Sequence, residues 1–525
     1  MPDGTAFKLT YSTMFNPPAE LHARFDAALA DFKRQGMGRD HAQWINGEAL
    51  HGGERFEVRS PIDQDWLVGR FVQGSPAQVD QAVQAARAAF PAWSATPWRE
   101  RVALLRRAAR LIEERVYAIS AAVAVEVGKN RMEAIGEVQE TADLIDWYCD
   151  QMEQHAGFDR VLADDPLPNF RSHNRTVLKP YGAWAVVAPF NFPFALSGGP
   201  VGPALIAGNT VVYKVSPETS LSGWLLLECL RDAGLPPGVV NFVTGGDATG
   251  RALVQHPQMA GVTFTGSHAV GMEVLRASVM GPYPRPCITE MGGKNATVVT
   301  RHGDVERAAL GIVRSSFGLS GQKCSACSRV YVDQALATPL RERLVELTRA
   351  LAVGDPTRAE NWMGPVIGRG AYERYQRLST HLKTVGSVDV GGEWLTDGDL
   401  ARGFFVAPTV ARAPLDDAAW RDEHFLPVVL VGEVASLDEA LQRANATDYG
   451  LTAGFYGSPD EMARFHREIE AGVTYANRPQ GATTGAWPGY QPFGGWKGSG
   501  STGKAIGSFY YLQQYLREQS QTVVE

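Results

Sequence analysis

From Tyr181 onward the chain alternates short apolar runs with helix-like stretches, and this alternation limits the fold more than any other feature. "AWAVVAP", "NTVVYKV", "VVNFVTG" and "GVTFTGS" are separated by segments such as 218–233 that read as helices. Parallel strands joined by crossover helices leave this signature, so the region predicts a Rossmann-like sheet. A second series follows: "ATVVT", helix 304–317, "SRVYVD", helix 335–352, "VVLVGEV" and helix 437–446. With 525 residues the chain exceeds what one hydrophobic core serves. Two α/β domains in sequence are expected, with a boundary near Glu290.

Upstream, Leu21, Phe25, Leu29 and Phe32 fall at helical spacing and predict an amphipathic helix over 18–34. "WINGE" and "DWLVGRFVQG" read as strands. Ser75 with Pro76 marks a capped helix start, Val79, Val83, Ala86 and Phe90 forming its inner face. Helical patterns continue through 98–128 and 131–156. Pro180 to Tyr213 carries no charged residue, but Pro189, Pro193, Pro200 and Pro203 break it, so it reads as buried core and not as a membrane span.

The formal net charge of −7 argues against broad capture of nucleic acid. The first residues lack the basic-then-apolar pattern of a secretory leader. Five cysteines, an odd number spread over a long chain, do not suggest a disulfide framework. The expectation is a cytoplasmic protein with neither a nucleic-acid nor a membrane partner.

Two of those cysteines stand in "SGQKCSACSR", Ser320 to Arg329. Structural zinc wants four Cys or His ligands, and no second pair lies nearby, so no metal site is expected. A thioredoxin-like pair belongs after an early βα unit, not late in a long chain. A Cys–His hydrolase needs a histidine that sequence alone does not bring close. An isolated cysteine is most often buried structure, which is the reading for Cys327.

Cys324 has more specific company. Upstream stand "APFNFP", "VVYKVSPETS", "FTGSHAVG" and "ITEMGGKN"; downstream stand "DEHFLP" and "QPFGG". In this order, and across nearly the whole chain, the set resembles the aldehyde dehydrogenase superfamily. The resemblance implies a Rossmann-type cofactor domain (1–160 and 181–289), an α/β catalytic domain (290–504) and a small β oligomerisation arm (161–180 and 505–525). It implies a homo-oligomer, dimer or higher, that oxidises a small aldehyde with NAD, or NADP.

By resemblance Cys324 is the nucleophile. A thiolate attacks well and later leaves well from a thioester. Asn191 in "PFNFP", with the Cys324 backbone N–H, matches the oxyanion donors; taken alone it is a turn residue before Phe-Pro. Glu290 matches the base that activates water against the thioester; taken alone it is a glutamate at a strand end. Gly266, Ser267 and Gly271 match the turn and helix start near the cofactor pyrophosphate. Lys214 matches a contact to the adenosine ribose, Glu423 a carboxylate on the nicotinamide ribose, and Phe425 a neighbour of the ring. Two positions depart from the family pattern. Leu426 replaces a glycine, and Pro217 stands where many members carry a ribose-binding glutamate, with Glu218 one place later.

The flanks "GQKCSACSR" and "TGAWPGYQPFGG" resemble the branch that oxidises L-glutamate γ-semialdehyde, the open form of 1-pyrroline-5-carboxylate, in proline catabolism. That likeness implies Ser325, Gly485 and Ala486 as holders of the substrate carboxylate. Glu137 matches an acidic residue near the substrate, and read by itself it is a solvated helix carboxylate. "PQGAT", before the anchor loop, looks about three residues longer than in that branch. The alternatives are a dehydrogenase for another small or acidic semialdehyde, a silent relative, and a thiol esterase. Retention of Cys324 and Glu290 argues against the second, and the nucleotide set Lys214, Ser267 and Glu423 against the third.

Overall fold

The computed structural model describes residues 9–10, 13–14, 17–483 and 487–525. A seven-stranded sheet has the order Cys287–Glu290, Gly261–Thr265, Ala183–Val187, Thr210–Lys214, Val240–Phe242, Gln43–Ile45, Glu48–Leu50. The strands from 183 to 290 run parallel, and the two early ones add antiparallel at one edge. The chain fills one side from 183 to 242, then returns to the other side of Ala183–Val187 for 261–265 and 287–290. Strand order therefore reverses between Ala183–Val187 and Gly261–Thr265, which is where open α/β sheets form their ligand crevice.

The second seven-stranded sheet has the order Ser387–Val390, Thr409–Arg412, Val428–Val434, Cys327–Asp333, Asn295–Val299, Thr452–Tyr456, Val473–Ala476. All pairs are parallel except the one at the Ser387–Val390 edge. Glu290 ends the last strand of the first sheet and Asn295 begins the second, so only 291–294 join them. The C-terminal edge of one sheet thus faces the N-terminal edge of the other.

Local chemistry explains the helices that carry this frame. Ser75 Oγ accepts from the Gln78 N–H while the Gln78 side chain accepts from the Ser75 N–H, a reciprocal cap worth about 1 kcal/mol. Pro180 to Tyr213 is core, as its composition predicts. It also contains a helix, Ala195–Ala207, that the prolines hid from a periodicity reading. Pro200 and Pro203 lie inside it, and nearly every residue is buried. Among the described residues no helix is long and apolar enough to cross a membrane.

A three-stranded sheet, Leu516–Val524, Ser172–Pro180 and Asp159–Val161, projects Val161, Val523 and Val524 outward. The expected arm of 161–180 and 505–525 needs correction here. Tyr511, Leu512 and Tyr515 are core: the Tyr515 ring packs 4.8 Å from Trp184 and its hydroxyl lies 3.0 Å from Thr263 Oγ1. Those rings fill the first domain, and the projecting strand begins only at Leu516.

Candidate active site

A cavity of about 570 Å³ opens at the strand-order reversal of the first sheet. Its walls include Asn191 and Phe190 from the loop after Ala183–Val187, Lys214 at the end of Thr210–Lys214, and Gly266 and Ser267 after Gly261–Thr265. Cys324, Glu423 and Phe425 close it from the second sheet. Segments far apart in sequence converge because parallel strands in register end at the same edge: Val187 pairs with Lys214 and Thr265 with Glu290.

Cys324 sits in the turn between the 318–321 segment and the strand Cys327–Asp333. Asn295 holds that turn, its Nδ2 donating to the Cys324 and Ala326 carbonyls at 2.6 and 2.9 Å. Burial, then the Glu423 and Glu290 carboxylates, push the thiol pKa up to about 12, while the Ser325 and Cys324 amides oppose the rise. The resting group is therefore a thiol. Cys327 is buried beside Thr297 Oγ1 at 3.2 Å, a structural role as expected.

Asn191 is buried, and its Nδ2 donates to the Gln322 carbonyl at 3.0 Å. One amide hydrogen is thereby fixed two residues before Cys324, leaving the other for the cavity that Asn191 lines. Glu290 has intermediate exposure, but its carboxyl is walled in, and desolvation pushes its pKa well above the usual carboxylate range. The Gly495 N–H donates to Glu290 Oε2 at 3.2 Å.

The far side of the cavity forms a cradle around Glu423. Gly293 N–H donates to Glu423 Oε1 at 2.8 Å, and a Cβ on Gly292 would lie 2.5 Å from Glu423 Cδ, so glycine is needed for this approach. Ser267 caps the helix His268–Val279 by accepting from Val270 N–H. Lys214 is buried, donates to the Val215 carbonyl at 3.0 Å, and burial lowers its pKa to about 8. Pro217 lines the cavity, whereas Glu218 is exposed and accepts from Ser216 Oγ. Leu426 turns into the core of the second sheet, away from the cavity.

Two expectations change. Gly271 does not face the cavity; its missing Cβ admits Met291, whose Cγ would otherwise be 2.7 Å away. Glu137 is not solvated. It is wholly buried, with Oε1 accepting from the Phe194 and Ala195 N–H groups and Oε2 from Lys129 Nζ. Those partners leave little for a substrate ammonium. Ser325 is buried beside Cys324, its carbonyl accepting from Thr483 Oγ1 at 2.7 Å. Gly485 and Ala486 lie outside the described residues. "PQGAT" is pinned to the helix Val305–Phe317: the Pro479 carbonyl accepts from Arg314, and Ala482 N–H donates to Gly311. Sequence reasoning missed Lys129, Glu133 and Lys323 altogether, although the four-residue step between two glutamates on one helix was visible.

The aldehyde dehydrogenase family model matches residues 44–521. This chain belongs to that family. The family's reaction, oxidation of an aldehyde, asks for a thiol, an oxyanion donor and a base close together. Cys324 and Asn191 line the cavity, and Glu290, outside its lining, is near enough for its charge to raise the thiol pKa. The chain is 36% identical over 518 residues to 1-pyrroline-5-carboxylate dehydrogenase of Geobacillus kaustophilus, covering 96% of this chain and 97% of the relative. It is 37% identical to 1-pyrroline-5-carboxylate dehydrogenase 2 of Bacillus subtilis, with 99% of each chain covered. Among solved aldehyde dehydrogenase folds, 1-pyrroline-5-carboxylate dehydrogenase from Thermus with bound NAD superposes with a TM-score of 0.92. It shares 33% identity over 99% of each chain.

Proposed function

We propose that this aldehyde dehydrogenase oxidises L-glutamate γ-semialdehyde to L-glutamate with NAD, as a step of proline catabolism in the cytoplasm. The observation that carries the reading is the single cavity with the thiol and amide at one end and the Lys214, Ser267 and Glu423 cradle along its length. In this reading the first sheet holds the cofactor and the second carries the nucleophile. The three-stranded arm joins protomers through its exposed valines.

Cys324 gives its proton to solvent in the cavity and attacks the aldehyde carbon, forming a C–S bond as the carbonyl π bond opens to an oxyanion. The developing oxyanion takes hydrogen bonds from Asn191 Nδ2 and the Cys324 N–H. Bound NAD supplies the hydride acceptor. Lys214, the Gly266–Ser267 turn and Glu423 would hold it, the cradle at Gly292 fitting close approach. The resulting thioester is attacked by water whose proton passes to Glu290 in its ionised form, reached once the carboxyl has released its own proton to solvent, and Cys324 leaves as thiolate with release of the acid. Ser325 and the Gly485–Ala486 loop hold the substrate α-carboxylate by hydroxyl and backbone donors. The Thr483–Ser325 bond supports this by tying the loop's start to the nucleophile turn. Glu218 turns its carboxylate onto Ser216 Oγ at the surface, while Pro217 is the residue that lines the cavity there, which leaves room for NADP as a second cofactor.

The test is turnover of purified protein with NAD and a panel of aldehydes. Loss of the α-carboxylate leaves buried donors unpaired at about 1–3 kcal/mol per group, so kcat/KM should fall about ten-fold or more for butanal and pentanal. Equal or better rates with those simple aldehydes, unchanged by Ser325→Ala, would refute the substrate assignment.

A further inference from the structure

Four charges are buried together behind the thiol and the amide, and the mechanism uses none of them. Glu133 and Glu137 are one turn apart on the helix Arg131–Gln154 and so share a face. Glu133 Oε1 accepts from Lys323 Nζ at 2.5 Å, and Glu133 Oε2 accepts from the Leu319 N–H at 3.2 Å. Leu319 and Ser320 have left-handed φ of 48° and 54° in the segment that leads into Cys324. Glu133 thus ties down a strained turn, and Lys323 is the residue before the nucleophile.

Glu137 does the same for the oxyanion side. It accepts from the Phe194 and Ala195 N–H groups at 2.8 and 3.2 Å, at the start of the helix Ala195–Ala207. Lys129 Nζ bridges Glu137 Oε2 at 2.5 Å and the Asn191 carbonyl at 2.7 Å. The Phe192 ring lies between the pairs, with Lys129 Nζ 4.0 Å and Lys323 Nζ 5.9 Å from its centroid. Asn191 Nδ2 closes the circuit by donating to Gln322. The path runs Gln322, Lys323, Glu133, one helical turn, Glu137, Lys129, Asn191 and back to Gln322.

We propose that Lys129, Glu133, Glu137 and Lys323 are positioning residues: two buried ion pairs, built on two glutamates of one helix, that set the Asn191 amide against the Cys324 thiol. The inference rests on Cys324 and Asn191 being the reacting pair of the preceding section. A bracket is needed because the two groups come from different sheets, and no strand pairing fixes their separation. Side chains anchored to one rigid helix do. The Asn191–Gln322 hydrogen bond joins the two turns at one point, and the ion pairs add a second connection through the helix.

The experiment uses the full-length protein and compares Glu137→Gln with the paired neutral variant Glu137→Gln/Lys129→Met, and Glu133→Gln with Glu133→Gln/Lys323→Met. Thermal midpoint, NAD affinity and single-turnover formation of reduced cofactor are measured for each. The single variants leave a buried lysine unpaired and should melt earlier; a displacement of about 1 Å at the reacting atoms costs about 100-fold in single-turnover rate. The paired variants should recover the melting point without recovering the rate, with NAD affinity unchanged throughout. Recovery of rate along with stability would make the network a stability element and overturn the proposal, as would single variants reacting at the wild-type rate. If a single variant does not fold, its paired variant carries the test. For Glu137→Gln/Lys129→Met, the pH profile of Cys324 alkylation by iodoacetamide should not move, because the deleted pair is neutral; a shift would assign charge tuning in place of positioning. Cys324→Ala is the control: if it still turns over, the fault lies with the proposed function and not with the bracket.

Discussion

Gly292→Ala probes the cofactor cradle through a single methyl group. The added Cβ would lie 2.5 Å from both Glu423 Cδ and Glu423 Oε1, well inside van der Waals contact. Gly292 is not in the left-handed region, so alanine imposes no backbone strain, and the clash is resolved at the end of a flexible side chain. Glu423 must swing out, losing the bond from Gly293 N–H and, in the proposed complex, its hold on the ribose hydroxyls. One hydrogen bond to a charged group is worth about 1.5–3 kcal/mol, which is about 10- to 150-fold in the Kd for NAD. The assay is NAD titration by quenching of protein fluorescence, with the KM for NAD in parallel. Thermal stability should stay close to wild type, because the displaced atoms belong to a carboxylate at a cavity wall, while Cys324 alkylation should quicken as a charge that raises the thiol pKa moves away. A Kd within two-fold of wild type, at about 0.4 kcal/mol, would show that Glu423 does not hold the cofactor.

Cys324→Ala should abolish dehydrogenation and keep NAD binding, whereas Cys327→Ala should retain substantial turnover; equal losses in steady-state assays would contradict the division between them. Glu290→Gln should gain stability relative to wild type as pH rises. The folded state holds the Glu290 proton more tightly than the unfolded chain, so ionisation costs folding free energy above the unfolded pKa near 4.5, and the amide removes that cost. Melting curves should converge near pH 4.5 and separate upward; a constant difference would mean the carboxyl is not held protonated. NADP should support measurable turnover, and no reaction at saturating NADP would contradict the outward turn of Glu218. Deleting 516–525 should lower the oligomeric state in sedimentation while leaving a cooperative melt, but deletion from 505 should unfold the protein through loss of Tyr511 and Tyr515.

Much of this was legible in the sequence because strand ends carry the chemistry. "PFNFP", "VVYKV" and "FTGS" follow three short apolar runs, and a parallel sheet must deliver such positions to one edge. Burial was less legible. Glu137 looked solvated because "GEVQETADLIDWY" is rich in charge, yet it lies on the covered face of its helix, whose wetter stripe runs along Gln139, Asp143, Asp146, Asp150 and Glu153. The helix Ala195–Ala207 was hidden by two prolines and three glycines, residues tolerated only where the surrounding core holds the chain. Gly271 was assigned by its place in a motif; the space it gives is used by Met291 and not by a ligand. The bracket draws on residues from 129 to 323, and no local pattern announces a contact of that range.

The central claim is that Cys324 carries the acyl group between oxidation and hydrolysis. Glu290→Gln, mixed with NAD and L-glutamate γ-semialdehyde and quenched in acid before the slow steady state, should release one equivalent of reduced cofactor per site. Peptide mass spectrometry should then find the glutamyl adduct on the fragment bearing Cys324, with Cys327 free. A burst with no adduct, or an adduct on any other cysteine, would contradict the account.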